Sequence, residues 1–550
     1  MRSEIHPDEI FIDSENVSEL DRDQFEGRIE RPLSRRQLAI AGGVVCLAFV
    51  LLFARAGVLQ VVHGAEYAEQ AEKNQLSEQT IFADRGAIVD RNGVPLAWNE
   101  RGSVDDDFAK RVYANMRGLA HAVGYTRAPA KDSKGFYFRT SFEGLDGAEQ
   151  VYDEKLRGQN GVELTETDAL GDVVSQATTR APVAGETLRL SLDANVTQGL
   201  YDVLAKNASA ANFQGAAGII MDVRTGELLA LASYPEYGQN AMVEGDRALL
   251  AQYNSDERQP FLDRAVDGLY APGSIVKPVV AAGAIADGVI DEYKQIESTG
   301  KLVLPNPYDP DNPSIFRDWR VNGWVDARRA IAVSSDIYFY EVGGGFGSQK
   351  GMGIESIGKW LRAFGLGADA GLEGFSSKAG TIPSKEWKAQ AFPKDPTWRV
   401  GNTYHTAIGQ YGTQVTPLQA VRMTAALANS GTLLVPTLLA SSTPQASKVQ
   451  IDPHALQVGR EGMRMSVTDG IATGVKLPYV SVAAKTGTAQ IGMRNEYLNA
   501  WMVGFWPYED PKYAFAVILD RAPEHTSTGG NAVMGQFFAW MRDNAPQYLK

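Results

Sequence analysis

The chain predicts an α+β protein with three parts: a single N-terminal transmembrane helix, a small α+β pedestal, and a large domain in which one antiparallel sheet is flanked by helices. Three observations carry this. Residues 38–54, LAIAGGVVCLAFVLLFA, form a run without a charge. Strand patterns stand near both ends of 189–550 with helical patterns between them, as when the last strands of an antiparallel sheet return to pair with the first. The length of 550 residues leaves room for about two to four folded units and an ample core.

Composition narrows the function classes. A hydrophobic fraction of 44% and a charged fraction of 22% exclude wholesale disorder and a polytopic membrane protein. Lys+Arg 53 against Asp+Glu 66 gives a net charge of -13, which repels nucleic acid, so no nucleic-acid partner is expected. Cys46 is the one cysteine, so neither an internal disulfide framework nor a cysteine zinc site can be built. The 6 histidines show no metal-ligand spacing, and no metal is expected.

In order along the chain, the acidic, apolar-poor stretch 4–30 reads as a solvated, disordered tail. The run at 38–54 would span about 26 Å as a helix, nearly the thickness of the hydrocarbon. Continuing to Val62 completes the crossing, because Arg55 near the end can snorkel to the headgroups. A cleaved signal peptide would carry its apolar run close to the first residue; here 37 residues precede it, so 38–62 reads as an uncleaved anchor. Arg22, Arg28, Arg31, Arg35 and Arg36 lie before the span and only Arg55 and Lys73 soon after it. That asymmetry puts 1–37 in the cytoplasm and everything after 62 outside.

Residues 64–79 have helix-forming composition and predict a stalk. Asn92-Gly93, between two apolar runs in ADRGAIVDRNGVPLAW (83–98), predicts a hairpin. Residues 97–188, with Gly-rich turns at 144–147 and 158–161, read as a small α+β module, so the pedestal covers 63–188. TLRLSLD (187–193) alternates as a strand, and ANVTQGLYDVLAKNA (194–208) has an amphipathic helical period. GAAGIIMDVRTGELLALASYP (215–235) reads as two strands about an Arg-Thr-Gly turn. Helical patterns dominate from about 274 to 430; AWMVGFW and YAFAVILD then flank PYEDPK as an antiparallel hairpin before a last helix around 529–542.

Ser274 follows Ala-Pro-Gly and heads an apolar run that should be helical, with Lys277 three residues on and on the same face, so the amine can reach the hydroxyl. A serine becomes a nucleophile only beside a base, and a partly desolvated lysine can serve. The helix start also offers free N–H groups to a developing oxyanion. Pro278 implies a tight or distorted first turn. Alone the pattern is weak: Ser298 with Lys301 and Ser356 with Lys359 repeat it, and both are expected on surface turns. Two further pieces add weight, Ser334-Ser335-Asp336 and Lys485-Thr486-Gly487-Thr488, which follow in that order.

Ser-x-x-Lys, Ser-x-Asn/Asp and Lys-Thr-Gly in this order resemble the signature of penicillin-recognising serine enzymes. The likeness extends to RGAIVDRNGVPLA (85–97), GLDGAEQVYDEKLRG (144–158), DRAVDGLYAPGSIVKP (263–278), SSDIYFYEVG (334–343), GQYGTQVTPLQ (409–419), AAKTGTAQ (483–490) and NAWMVGFWP (499–507). Over most of 80–545 the chain resembles class B penicillin-binding proteins, monofunctional D,D-transpeptidases of bacterial cell-wall synthesis. GLYAPGSIVKP and Asp336 are most similar to the elongation-type penicillin-binding protein 2 group. The resemblance implies a serine β-lactamase-like transpeptidase domain over 189–550, a role in elongation and cell shape, and no cofactor. It also implies a single-pass protein of the bacterial cytoplasmic membrane with its catalytic domain on the periplasmic side.

The resemblance also implies roles. Ser274 would attack the penultimate D-Ala carbonyl of a stem peptide, Lys277 would take its proton, and Ser334, linked to Lys485, would relay a proton to the leaving amine. Asp336 would position Lys277 or the acyl-side amide. Lys485, Thr486 and Thr488, with Gly487 between them, would hold the substrate carboxylate, and the N–H groups of Ser274 and Thr488 would form the oxyanion hole. Implied partners are D-Ala-D-Ala stem peptides, β-lactams, the lipid bilayer through one helix, and a glycosyltransferase of the shape, elongation, division and sporulation (SEDS) family.

Two departures stand out. Only about 45 residues lie between Trp98 and Gly144, where similar proteins carry a larger head module, so the pedestal is read as reduced. FRDWRVNGW (316–324) holds neither the His nor the Cys of the zinc site that some relatives carry near the second motif. Two alternatives compete with the transpeptidase. A non-catalytic penicillin-binding sensor or scaffold is disfavoured by a tail too short for a signalling domain. An anchored D,D-carboxypeptidase or β-lactamase is disfavoured because no Glu-x-x-x-Asn lies between Ser334 and Lys485 to activate a deacylating water.

Overall fold

The structure is a computed structural model and describes residues 34–68, 76–103, 106–167, 173–306, 309–375 and 377–550. The expected acidic tail at 4–30 lies outside the described residues. The chain divides into two compact units, residues 1–79 with 164–177, and residues 80–163 with 178–550.

In the first unit, helix α1 (Arg35–Gly57) starts from Ser34, whose hydroxyl accepts from the Gln37 N–H while the Gln37 side chain accepts from the Ser34 N–H. This reciprocal cap satisfies donors that a helix start leaves free. A π-helical turn, Val58–Val62, continues it, and the combined apolar helix of 28 residues is long enough to cross a membrane. The stalk helix expected over 64–79 is corrected at its end. Leu76–Ile81 is a strand, in a three-stranded sheet with Gly161–Thr167 and Val173–Arg180, because pairing with distant strands overrides the local helical preference of those residues.

The second unit begins with the hairpin expected at Asn92-Gly93. Ile88–Val89 and Pro95–Glu100 pair antiparallel, and Asp90 Oδ1 caps the turn by accepting from the N–H groups of Asn92 and Val94, both at 2.8 Å. Of the two turn residues, Gly93 takes the positive φ, +87°. The strand expected over 187–193 is Leu188–Arg189, paired parallel with Ile88–Val89; beyond it Leu190 bridges to Leu439 and Asp193 caps the next helix. Arg85 and Arg111 hold the buried Glu149 carboxylate at 2.6 and 2.7 Å. Three buried charges are tolerable there because each is paired and hydrogen-bonded.

The large sheet has five strands: β1 (Gly215–Asp222), β2 (Leu228–Tyr234), β3 (Ala483–Ile491), β4 (Tyr497–Trp506) and β5 (Tyr513–Pro523). Their order is β2-β1-β5-β4-β3, antiparallel throughout. The chain-terminal strand β5 thus pairs with the first strand β1, as the pattern at the two ends predicts. Every residue of β1 is buried, since helices cover both faces and leave no side for a polar alternation. Its residues divide by period two: Ala217, Ile219 and Met221 enter one core, Ala216 and Ile220 the other. Helices α2 (Ala194–Ala210), α3 (Lys277–Ala286), α4 (Ala327–Val333), α5 (Asp336–Gly344), α6 (Pro417–Ala428), α7 (Pro453–Asp469) and α8 (Gly530–Asn544) surround the sheet. α2 and α8 supply one core and α3 and α6 the other. β3 is left as an edge, packed against α7 and the turn Gly273–Val276, and that edge is where the three motifs meet.

Candidate active site

Ser274 sits on a 3₁₀ turn, Gly273–Val276, that runs into α3. The reason is local. Pro278 has no N–H to give the Ser274 carbonyl, so the Lys277 N–H bonds that carbonyl instead and tightens the turn. Neighbouring backbone holds the turn from two sides. The Gly273 N–H donates to Gly409 O at 3.0 Å, and a Cβ on Gly409 would lie 2.2 Å from Gly273 O. Against β3, a Cβ on Gly273 would meet Thr488 O at 2.8 Å and one on Gly487 would meet Ile275 Cγ2 at 2.8 Å. Glycine at 273, 409 and 487 is what lets the serine turn lie directly on the Lys-Thr-Gly strand.

Ser334 ends α4 with φ 57° and ψ 40°, left-handed backbone that costs a non-glycine residue about 1 kcal/mol or more. The turn reverses the chain so that Ser335 can cap α5 and Asp336 can open it. It also aims the Ser334 carbonyl and hydroxyl at two lysines. Lys277 Nζ donates to Ser334 O at 2.9 Å, to Ser334 Oγ at 3.2 Å and to Asp336 Oδ1 at 2.6 Å. Lys485 Nζ donates to Ser334 Oγ at 2.8 Å and to Thr486 O at 2.7 Å. Both lysine side chains are fully buried, and Lys277 also lies 5.4 Å from the centre of the Phe339 ring.

Burial holds the Lys485 amine well below the ordinary lysine range; the Lys277 charge adds to that and Asp336 opposes it. A folded-state lysine that gives up its proton early costs stability below its own pKa, and the cost fades as pH rises toward the unfolded value. Lys485→Met is therefore expected to raise the melting temperature at pH 7 by a few degrees, for a gain of roughly 1–3 kcal/mol. The gain should shrink as pH approaches 10.5, and thermal melts at pH 7 and 10 check it. A variant that melts below the parent at pH 7 counts against it.

The structure therefore joins Lys277, Ser334, Asp336 and Lys485 in one hydrogen-bonded group. Ser274 and Thr488 face the cleft beside it, a cavity of about 620 Å³ that Asp336, Tyr340, His405 and Tyr411 also line. Thr486 is half-buried and Thr488 exposed, with Gly487 buried between them. The expected contact between the Lys277 amine and the Ser274 hydroxyl is not made as a hydrogen bond; Ser334 and Asp336 take that amine instead. The two repeats of the first motif are not on surface turns. Ser298 is fully buried at the end of the strand Ile296–Ser298, and Ser356 lies on the helix Gly353–Ala363, bonded to Asp287 together with Lys359. His405, Tyr411 and Asp318 were not singled out by motif, because none belongs to a short spacing pattern.

Comparison with known proteins follows the same lines. The family model described as Penicillin binding protein transpeptidase domain matches residues 216–540, and that of the Penicillin-binding Protein dimerisation domain matches 106–190. The chain is 28% identical to the peptidoglycan D,D-transpeptidase MrdA of Acinetobacter baumannii, over 93% of this chain and 88% of that protein. It is similar to the crystal structure of Pseudomonas aeruginosa PBP2 in complex with WCK 5153, with a TM-score of 0.69 and 29% identity over 85% of this chain and 97% of that one. It is also similar to Helicobacter pylori PBP2 in its complex with MreC, with a TM-score of 0.70 and 26% identity over 86% and 99%. With the family model spanning more than half of its residues and the three motifs gathered at one sheet edge, the chain belongs to the penicillin-binding protein transpeptidase family.

Proposed function

We propose that the protein is a membrane-anchored peptidoglycan D,D-transpeptidase of cell-wall elongation. The observation that carries this is Ser334 Oγ held between the Lys277 and Lys485 amines beside a cleft that Ser274 and Asp336 line. Ser274 Oγ attacks the carbonyl carbon of the penultimate D-Ala while Lys277 Nζ, neutral once it has passed a proton through Ser334 Oγ to Lys485, accepts its proton. For this the amine swings from Asp336 and Ser334 toward Ser274, a short move of the kind substrate binding tightens. The C–N bond to the terminal D-Ala breaks, and the leaving nitrogen receives a proton through Ser334, which Lys485 re-protonates. The N–H groups of Ser274 and Thr488 stabilise the oxyanion, and Thr486 and Thr488 with Lys485 receive the substrate carboxylate. An amine of a second stem peptide then attacks the ester carbonyl and gives up a proton through Ser334 to Lys485; the C–O bond to Ser274 breaks, and Lys277 returns its proton to the Ser274 oxygen.

Incubation with penicillin followed by intact-mass and peptide mapping tests this. One adduct on Ser274 is expected, and with a D-Ala-D-Ala pentapeptide and an amine acceptor, release of D-Ala coupled to a new amide. An adduct on another serine, or hydrolysis alone, overturns it.

We infer that the apolar helix anchors the chain with the catalytic domain outside, from the arginines that precede it. The pedestal is then the natural contact for a SEDS-family glycosyltransferase that supplies nascent glycan near the membrane. Phe136 and Phe138, 71% and 66% exposed, stand on or beside the strand Tyr137–Arg139 within the matched dimerisation region. Phe136→Asp with Phe138→Asp is expected to lower co-purification with that polymerase about tenfold while penicillin acylation is unchanged. Retained co-purification that is instead lost on exchanging residues 38–62 assigns the contact to the membrane helix.

A further inference from the structure

Asp318 belongs to none of the three motifs, yet one of its oxygens gathers five donors. Oδ2 accepts from the Ser335 hydroxyl at 2.9 Å, from the N–H groups of Asp336 at 3.0 Å and Ile337 at 3.2 Å, from the Ser298 hydroxyl at 2.8 Å and from Asn322 Nδ2 at 3.3 Å. Oδ1 accepts from the Trp319 N–H at 2.8 Å. The first three donors form the start of α5, where backbone N–H groups have no partner within the helix and a carboxylate is favoured by both hydrogen bonding and the helix dipole. The other two come from outside the site: Ser298 ends the strand Ile296–Ser298, and Asn322 precedes its partner strand Gly323–Val325. One carboxylate therefore ties the second-motif turn to a separate pair of strands.

The turn needs such a tie. Ser334 is held in left-handed backbone, which relaxes toward ordinary conformations when nothing opposes it. Two residues on, Asp336 must keep Oδ1 at 2.6 Å from Lys277. A loosened start of α5 would move Ser334 Oγ and the Asp336 carboxylate together and leave the Lys277 amine without its directing partners. This also accounts for the buried Ser298, whose hydroxyl is an anchor for Asp318.

We propose that Asp318 is a positioning residue for acylation, its carboxylate clamping the Ser334–Asp336 turn so that both residues face the Lys277 amine. It rests on Ser274 being the acylated nucleophile. Asp318→Asn keeps the size but turns an amide N–H₂ or a weaker acceptor toward the gathered donors. Acylation by a fluorescent penicillin, measured over a range of concentrations, separates the limiting rate from the half-saturating concentration. The limiting rate is expected to fall about 100-fold, as for a misplacement of around 1 Å, with half-saturation and melting temperature little changed, because the carboxylate-binding residues on β3 are untouched. A limiting rate within about twofold of the parent overturns the proposal, as does a loss that half-saturation and melting temperature share, which marks a merely structural residue. Should Asp318→Asn not fold, Ser298→Ala removes one donor from outside the site and is expected to lower the limiting rate about fivefold; a folded Ser298→Ala with the parental rate overturns it. A parent chain that takes no penicillin on Ser274 overturns the transpeptidase reading itself.

Discussion

Ser274→Ala is expected to abolish penicillin labelling, a loss of roughly 10⁶-fold that leaves no adduct at any other serine. The argument is one of position. Ser274 is half-buried at the mouth of the cleft, on a turn whose backbone is fixed by Gly409 and Thr488. Ser334 cannot replace it, since its hydroxyl oxygen already accepts from both lysines and its side chain is buried. Ser298 is bonded to Asp318 and Ser356 to Asp287, each away from a free base. Gel fluorescence after labelling, with a matched thermal melt, reads the result. Undiminished labelling of the folded variant would place the nucleophile elsewhere and remove the basis for every role assigned around it.

Lys277→Ala carries the next largest effect, a fall in acylation of about 10³–10⁴-fold. Lys277 is the amine nearest in sequence to the proposed nucleophile and has three hydrogen bonds, two to Ser334 and one to Asp336, so its removal takes away the proposed base and leaves the Asp336 carboxylate unpaired. Lys485→Ala should cost less, roughly 10–100-fold shared between rate and half-saturating concentration, because a carboxylate contact is one of several. Single-turnover acylation over a concentration series distinguishes them. Equal, mild losses for the two lysines would contradict the division of labour between base and carboxylate contact.

Legibility in the sequence followed the range of the interaction involved. The strands about Arg-Thr-Gly and about PYEDPK, the helix at 194–208 and the return of the last strand to the first were readable because burial imposes a period of two or of about 3.6 on neighbouring residues. That Ser274, Lys277, Ser334, Asp336 and Lys485 come together was readable because the proposed chemistry needs particular residue types at short spacings within each motif. What did not show was set by partners far along the chain. LSEQTI at 76–81 has no local reason to leave a helix, and it is a strand because it pairs beyond residue 160. Ser298 copies the first motif, yet its role comes from a carboxylate 20 residues away.

By itself, the sequence determined an apolar helix long enough for a membrane, an α+β domain closed by its own last strands, and the residue types of a lysine-assisted serine site. Each of these depends on local periodicity or on side-chain chemistry. Only the tertiary structure decided that Lys277 is hydrogen-bonded to Ser334 and Asp336 rather than to Ser274, and that Asp318 gathers the start of α5. Those outcomes depend on where a left-handed serine, a proline-tightened turn and three close-packed glycines bring distant backbones together. A buried amine or carboxylate takes whichever partners that packing places within about 3 Å, because leaving it unpaired costs more than any local preference can return.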